Sequence, residues 1–184
     1  MKKTYSYCLF AFLIAGIFGF RSISDWIEYK SEVGNYKVTM PGTPEEQIKK
    51  LPTAVGEITM HIAMVQSEEN DDNLLYLSAY SEYPAEKISS EMSKDGIDRF
   101  FNGAADGGAK SMNGKLISIT DTVYKNYPAK NVLIDANIGG QNFLVLQKLI
   151  LIKNKFYMLQ TFTKPEMEGN PNARKFFESF KRED

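Results

Sequence analysis

The sequence predicts an α+β fold, a mostly antiparallel sheet with helices packed on it. Most of the chain after residue 25 consists of short segments in which apolar and polar residues alternate, as in half-buried strands. The connections between these segments are short and contain Gly, Asn and Pro, which favours antiparallel pairing of neighbours. Two segments carry apolar residues at helical spacing, and we expect them to cover the sheet.

Eight segments are predicted to be strands. In chain order they are 26–30, 36–40, 57–66, 74–83, 116–124, 129–138, 142–152 and 156–162. The first two form a hairpin around Gly34, and the pair Gly139 and Gly140 is the two-residue signal of a second hairpin.

Two segments depart from simple alternation. Segment 45–52 is polar and is predicted to be a loop or a frayed edge. Segment 142–152 is almost continuously apolar and is interrupted by Gln147 and Lys148. A run of this kind predicts a central strand that is covered on both faces.

The first predicted helix lies within 89–112 and stops at Asn113-Gly114. Its apolar residues recur near helical spacing. Four glycines lower its intrinsic propensity by roughly 1 kcal/mol each relative to alanine. We expect a helix with so many glycines to lie close against a sheet. The four are Gly96, Gly103, Gly107 and Gly108.

The second predicted helix closes the chain. Asn170 is placed to cap it, and Pro171 suits its first position. The spacing of its apolar residues predicts one buried face that packs on the domain core. That face consists of Ala173, Phe176, Phe177 and Phe180.

Residues 1–24 have the layout of a secretory signal peptide, followed by one domain over 25–184. Lys2 and Lys3 precede an apolar run over 7–20, and Ser22-Ile23-Ser24 offers small residues to a signal peptidase. The run is shorter than the ~20 residues that span a bilayer. We therefore expect export to the periplasm or the medium. The alternative is an uncleaved anchor, which would be the protein's single link to a membrane.

Cleavage would change both the charge and the redox chemistry of the protein. Loss of Lys2, Lys3 and Arg21 lowers Lys plus Arg from 22 to 19 against 23 Asp plus Glu, a net charge of −4. A mildly acidic domain without a basic run is a poor candidate for binding nucleic acid. The sole cysteine, Cys8, leaves with the signal, so neither a disulfide nor a thiol nucleophile is expected.

Several motifs resemble those of the PsbP-like and Mog1-like proteins. The segment YKVTMPGTPEEQ (36–47) resembles the opening strand and Pro-Gly-x-Pro turn of that family, and YKNYPAKNVLIDA (124–136) resembles its strand with a Tyr-Pro turn. The ending NARKFFESFK (172–181) resembles its closing helix. The resemblance implies an α/β/α sandwich and an exported, non-catalytic binding or assembly module with no cofactor. The partner would be an envelope protein.

Two groups of residues are candidates for binding. Four carboxylates, Glu68, Glu69, Asp71 and Asp72, lie within five residues and could hold a hard cation such as calcium, although the spacing is not that of an EF-hand. The alternative is a solvated turn. Tyr76 and Tyr80 share one face of a strand and could bind a partner. The alternative is packing beneath a helix.

The remaining candidates carry weaker signals. His61 is the single histidine, so the residues for a catalytic triad or a zinc site are incomplete. The segment 103–111 differs by one residue from the spacing of a phosphate-binding loop, and nucleotide binding is not expected. A small hydrolase that uses Glu57 and Asp98 as acid and base is the alternative to a binding module.

Overall fold

The computed structural model describes residues 26–67 and 70–183. It contains mostly antiparallel sheets with two α-helices packed on them, which confirms the predicted fold class. The signal peptide prediction falls on residues outside this range. No helix in the described part of the chain is long and apolar enough to cross a membrane.

The described residues form ten strands and two α-helices. The strands are β1 (Ile27–Ser31), β2 (Tyr36–Met40), β3 (Glu45–Thr53), β4 (Gly56–Gln66), β5 (Asn73–Glu82), β6 (Gly114–Tyr124), β7 (Tyr127–Ile138), β8 (Gln141–Ile152), β9 (Lys155–Thr163) and β10 (Lys181–Arg182). The helices are α1 (Lys94–Ser111) and α2 (Pro171–Ser179), and a 3-10 turn covers Pro165–Met167.

Strands β3 to β9 form a seven-stranded sheet in the order β3-β4-β5-β9-β8-β7-β6. Strand β8 lies inside this sheet and is buried on both faces over its second half, as the apolar run predicted. A second sheet has the order β1-β2-β10, so that the last strand of the chain pairs with the second. All strand pairs are antiparallel.

The large sheet is covered differently on its two faces. Helix α1 packs on β6 and β7, where Phe101 and Ala105 join a core with Ile134 and Leu151. Helix α2 contacts β2 and β5, and the small sheet shares its core on the other face. That core is rich in rings, among them Tyr36, Tyr76, Tyr157, Phe176 and Phe180.

The prediction of a loop over 45–52 is wrong, because this segment is strand β3, paired with β4 along its whole length. It does lie at the edge of the sheet, as the other part of that prediction expected. A solvated edge strand needs few apolar residues, so its sequence looks polar. Pro52 fits within it because an edge strand has one unpaired side.

Helix α1 lies within the predicted range 89–112 and begins at its sixth residue. The side chain of Ser93 accepts a hydrogen bond from the backbone N–H of Gly96 and caps the helix, so the first helical residue is Lys94. Residues 89–92 instead form turns, and Ser90 donates its backbone N–H to the carbonyl of Lys153. Strand β10 was not predicted, since two residues are too short to show alternation.

We expected the glycines of α1 to lie close against the sheet, and this is wrong for Gly103 and Gly107. A Cβ added at Gly103 or Gly107 would meet nothing within 4 Å, so these residues face open space and not the sheet. A Cβ at Gly108 would lie 3.4 Å from Nε2 of Gln147 on β8. The close approach to the sheet is therefore confined to Gly108.

We expect Gly103→Ala and Gly107→Ala each to raise the free energy of unfolding by roughly 0.5–1 kcal/mol, because alanine loses less backbone freedom in a helix. Urea titration followed by circular dichroism would measure this gain. Gly114→Ala is the control, and it should lower the free energy of unfolding. Its Cβ would lie 2.8 Å from Cγ2 of Ile134 and 2.9 Å from the carbonyl oxygen of Asp135, which is too close. Equal effects at all three positions would contradict the placement of α1.

Candidate functional site

An open groove of about 440 Å³ lies between α2 and the face of β6, β7 and β8. Residues of the three strands form its floor, and the segment that includes Glu168, Gly169 and α2 forms its wall. The position of α2 therefore determines whether the groove exists.

A buried polar network fixes the start of α2. Asn170 caps the helix by accepting the backbone N–H of Ala173 on its Oδ1 at 2.8 Å. The same side chain exchanges two hydrogen bonds with the amide of Asn73 on β5, at 3.0 and 2.9 Å. Asn73 is fully buried and also accepts a 2.6 Å hydrogen bond from Thr163. The cap is thereby tied to two strands of the large sheet.

The apolar face of α2 holds the helix against the core. Phe176 is fully buried and packs edge-on against Tyr76, with ring centroids 5.3 Å apart. Phe180 is buried just beyond the helix, whereas Phe177 is half-buried and lines the groove. The predicted apolar face of the closing helix is confirmed, and two of its four members, Ala173 and Phe177, line the groove.

Lys148 is the cation on the floor of the groove. It lies on β8 between Asn131 of β7 and Leu159 of β9, and it is half-buried. Among the described residues, no carboxylate lies within ion-pair distance of its ammonium group. Burial lowers the pKa of Lys148, an effect that the charge of Glu178 opposes in part. An anion brought to Lys148 would relieve the cost of this desolvation.

The rest of the lining combines apolar and polar groups. Leu133, Leu146 and Phe177 supply apolar surface beside Lys148. The charged side chains of the α2 wall, Arg174 and Glu178, are exposed at the rim. A few polar groups on an apolar surface are typical of small-molecule sites.

The predicted acidic metal site is only partly within the described residues, because Glu68 and Glu69 lie outside them. Asp71 is engaged in the network at the start of α2. Its carboxylate accepts hydrogen bonds from the backbone N–H of Asn73 at 2.8 Å and from the Tyr76 hydroxyl at 3.0 Å. In the described part of the chain, no three His, Cys, Asp or Glu residues are grouped so that they could hold a metal ion.

Tyr76 and Tyr80 are core residues here, with 0% and 3% of their surface exposed. Burial and the nearby Asp71 raise the pKa of the Tyr76 hydroxyl. Both rings lie in the aromatic core beneath α2 and the small sheet, so neither offers a face to a partner. The position of the two rings agrees with the alternative interpretation, packing beneath a helix.

The candidate catalytic carboxylates are not brought to the groove. Glu57 forms an exposed ion pair with Lys50 at 3.1 Å on the β3-β4 hairpin. Asp98 lies on α1 and pairs with Lys94 and Lys130, each at 2.6 Å. His61 is on β4, with its ring centroid 6.1 Å from that of Tyr80.

Sequence reasoning missed the ion cluster around Lys130 of β7. Lys130 is buried and donates to Asp98 of α1 and to Asp121 of β6. Hydrogen bonds from Lys130 hold the pKa of both carboxyls below their usual range. Burial alone would lower the pKa of Lys130, but the two carboxylates outweigh it and raise the pKa. The cluster satisfies its own charges and attaches α1 to the sheet.

With the geometry established, the chain can be compared with known proteins. It is similar to the solution structure of cyanobacterial PsbP (CyanoP) from Synechocystis sp. PCC 6803, with a TM-score of 0.56 and 14% sequence identity. The match covers 91% of this chain and 98% of that chain. The fold is PsbP-like. This confirms the expectation from the sequence motifs for the fold, and for the fold alone.

The other comparisons add no relative that bears on function. A crystal structure of a Pseudomonas aeruginosa protein of unknown function reaches a TM-score of 0.34 at 14% identity, over 77% of this chain and 84% of that chain, and we draw no conclusion from it. No family model and no curated protein matches the sequence.

Proposed function

We propose that this PsbP-like protein is an exported, non-catalytic binding module of the cell envelope, and that its ligand is an amphipathic anion held in the groove beside α2. The observation that carries the proposal is Lys148, a half-buried ammonium without an ion pair among the described residues, placed next to apolar groove walls. A carboxylate with an apolar tail satisfies both features.

The charges around the groove support an anion at Lys148 and not a cation. Arg174 at the rim adds a second positive charge, while Glu168 and Glu178 are exposed and screened by solvent. Lys148 is half-buried, and a partly desolvated charge gains more from a partner than the exposed charges at the rim do. Binding an anion favours the ammonium form, so the affinity is expected to fall as the pH rises through the lowered pKa of Lys148.

Octanoate is a suitable probe because it joins a carboxylate to a short apolar chain. We expect a titration followed by NMR to shift the amide signals of Lys148, Leu133 and Phe177, and Lys148→Met to weaken binding by roughly fivefold, which is about 1 kcal/mol. Octanol, the neutral analogue, should bind the wild type and Lys148→Met equally.

Lys115→Met is the matched control, since Lys115 is an exposed lysine on β6 outside the groove. It should leave the affinity for octanoate unchanged. Shifts that map to another surface, or a Lys148→Met variant that binds octanoate as well as the wild type, would refute the groove as the anion site.

The proposed export has its own test. Mass spectrometry of the native protein should find Asp25, or a residue within a few positions of it, at the N-terminus, because Ser22-Ile23-Ser24 fits a signal peptidase site. Intact Met1 in the purified envelope protein would refute cleavage. The binding measurements do not depend on this outcome.

A further inference from the structure

The free edge of β3 lies at the opposite end of the large sheet from the groove. Strand β3 pairs with β4 on one side and has no strand on its other side within the described residues. An edge of this kind presents unpaired N–H and C=O groups that another strand can bind. Nine residues are long enough for several such bonds.

The register of the β3-β4 hairpin decides which backbone groups point outward. Thr53 pairs with Gly56 across a two-residue turn, so these two form a hydrogen-bonded pair. Pairs alternate from there, which leaves the N–H and C=O groups of Glu46, Ile48 and Lys50 facing away from β4. Pro52 lies in the same phase, so the N–H that it lacks would also have pointed outward.

The side chains of these three residues place opposite charges at equal distances on either side of the central residue, Ile48. Ile48 is 68% exposed, the highest value among the exposed large hydrophobic residues of the described chain. Glu46 lies two residues before it and Lys50 two residues after it, on the same face of the strand. The segment is therefore complementary to its own antiparallel copy.

We propose that the edge of β3 binds the same edge of a second copy of this chain, joining two seven-stranded sheets through a two-fold axis at Ile48. In this register Ile48 lies opposite Ile48, and Glu46 lies opposite Lys50 twice. All three outward backbone positions of each strand are then paired. The interface uses one surface patch twice and closes on itself, as in most homodimers.

The neighbouring registers are less favourable, which makes this one specific. A shift of two residues in one direction sets Lys49 opposite Lys49, a like-charge pair. A shift in the other direction sets Glu46 opposite Ile48 and leaves the apolar side chain unmatched. The present partners of the two charged residues are the Tyr29 hydroxyl, 2.6 Å from Glu46, and Glu57, 3.1 Å from Lys50. Both contacts are exposed and can persist beside the new pairs.

Charge reversal tests the register through sedimentation equilibrium of the purified protein. The wild type should show a concentration-dependent dimer. Glu46→Lys and Lys50→Glu should each weaken dimerisation about tenfold or more, because each places like charges opposite one another twice. The double variant Glu46→Lys/Lys50→Glu restores opposite charges and should recover the dimer.

Glu45→Lys is the matched control, because Glu45 lies on the other face of β3 and opposite Leu51 in this register. It changes the net charge as Glu46→Lys does and should leave the dimer intact. Circular dichroism and melting curves establish that each variant is folded. A wild type that stays monomeric at all concentrations overturns the proposal, as does a double variant no better than the single ones. Octanoate binding is measured separately, so failure of the groove proposal would be distinguished.

Discussion

Phe176→Ala is expected to lower the free energy of unfolding by about 3–5 kcal/mol, the usual cost of truncating a buried phenylalanine. Phe176 is fully buried and packs against Tyr76 in the aromatic core, so the variant would leave a cavity that its ring-lined surroundings fill poorly. A protein of this size has roughly 5–15 kcal/mol of stability in total. Urea unfolding followed by Trp26 fluorescence would measure the loss.

Phe177→Ala is the control from the next position of the same helix. Phe177 is half-buried at the groove, so its truncation should cost less than half as much and should mainly weaken octanoate binding. Equal losses of stability for the two variants would contradict the orientation of α2. Deleting residues 170–184 removes the capping residue Asn170, the buried rings of Phe176 and Phe180, and strand β10. We expect the shortened chain not to fold.

Asn73→Leu is expected to cost about 3–5 kcal/mol, because it removes the hydrogen bonds of the buried Asn73 side chain to Asp71, Tyr76, Asn170 and Thr163, each worth roughly 0.5–1.5 kcal/mol. The buried hydroxyl of Thr163 would lose its acceptor on Asn73 and retain Thr161, and the amide of Asn170 would lose Asn73 and retain the carbonyl of Met167. The start of α2 would lose its attachment to β5. Octanoate binding should therefore weaken together with stability.

Asn137→Leu is the matched control for this substitution. Asn137 also donates to the side chain of an asparagine, Asn142, at 2.7 Å, but the pair is exposed. Water can replace that hydrogen bond, so the cost should stay below about 0.5 kcal/mol. A small effect at Asn73 as well would mean that the network does not determine the position of α2.

The strands were predictable because most of them are buried on at least one face, and burial imposes alternation or continuous apolar sequence. Strand β8 shows this most clearly, since its apolar run identified it as a covered strand of the sheet. Strand β3 was not predicted because its pairing uses the backbone, and its solvated side chains do not need to alternate between apolar and polar. The start of α1 could not be located within 89–112 from the apolar spacing, since Met92 precedes the helix and packs on the same core.

The groove was not predicted from the sequence. Lys148 was visible only as an interruption of the apolar run of β8, and nothing in that run indicated a binding site. The wall that makes the position a groove comes from α2, which is near β8 in space and not in sequence. The Asn73-Asn170 pair joins residues 97 apart, and a single sequence gives no sign of such pairs.

The small sheet has a consequence for how the chain is made. Its middle strand, β2, pairs with β1 at the beginning of the described chain and with β10 at the end, and Asn35 donates to the carbonyl of Glu183 across 148 residues. Until residues 180–183 have emerged from the ribosome, β2 lacks one neighbour and the ring cluster beneath it lacks Phe180. The core therefore cannot close before this segment is available, and its closure carries the entropic cost of a loop of 148 residues.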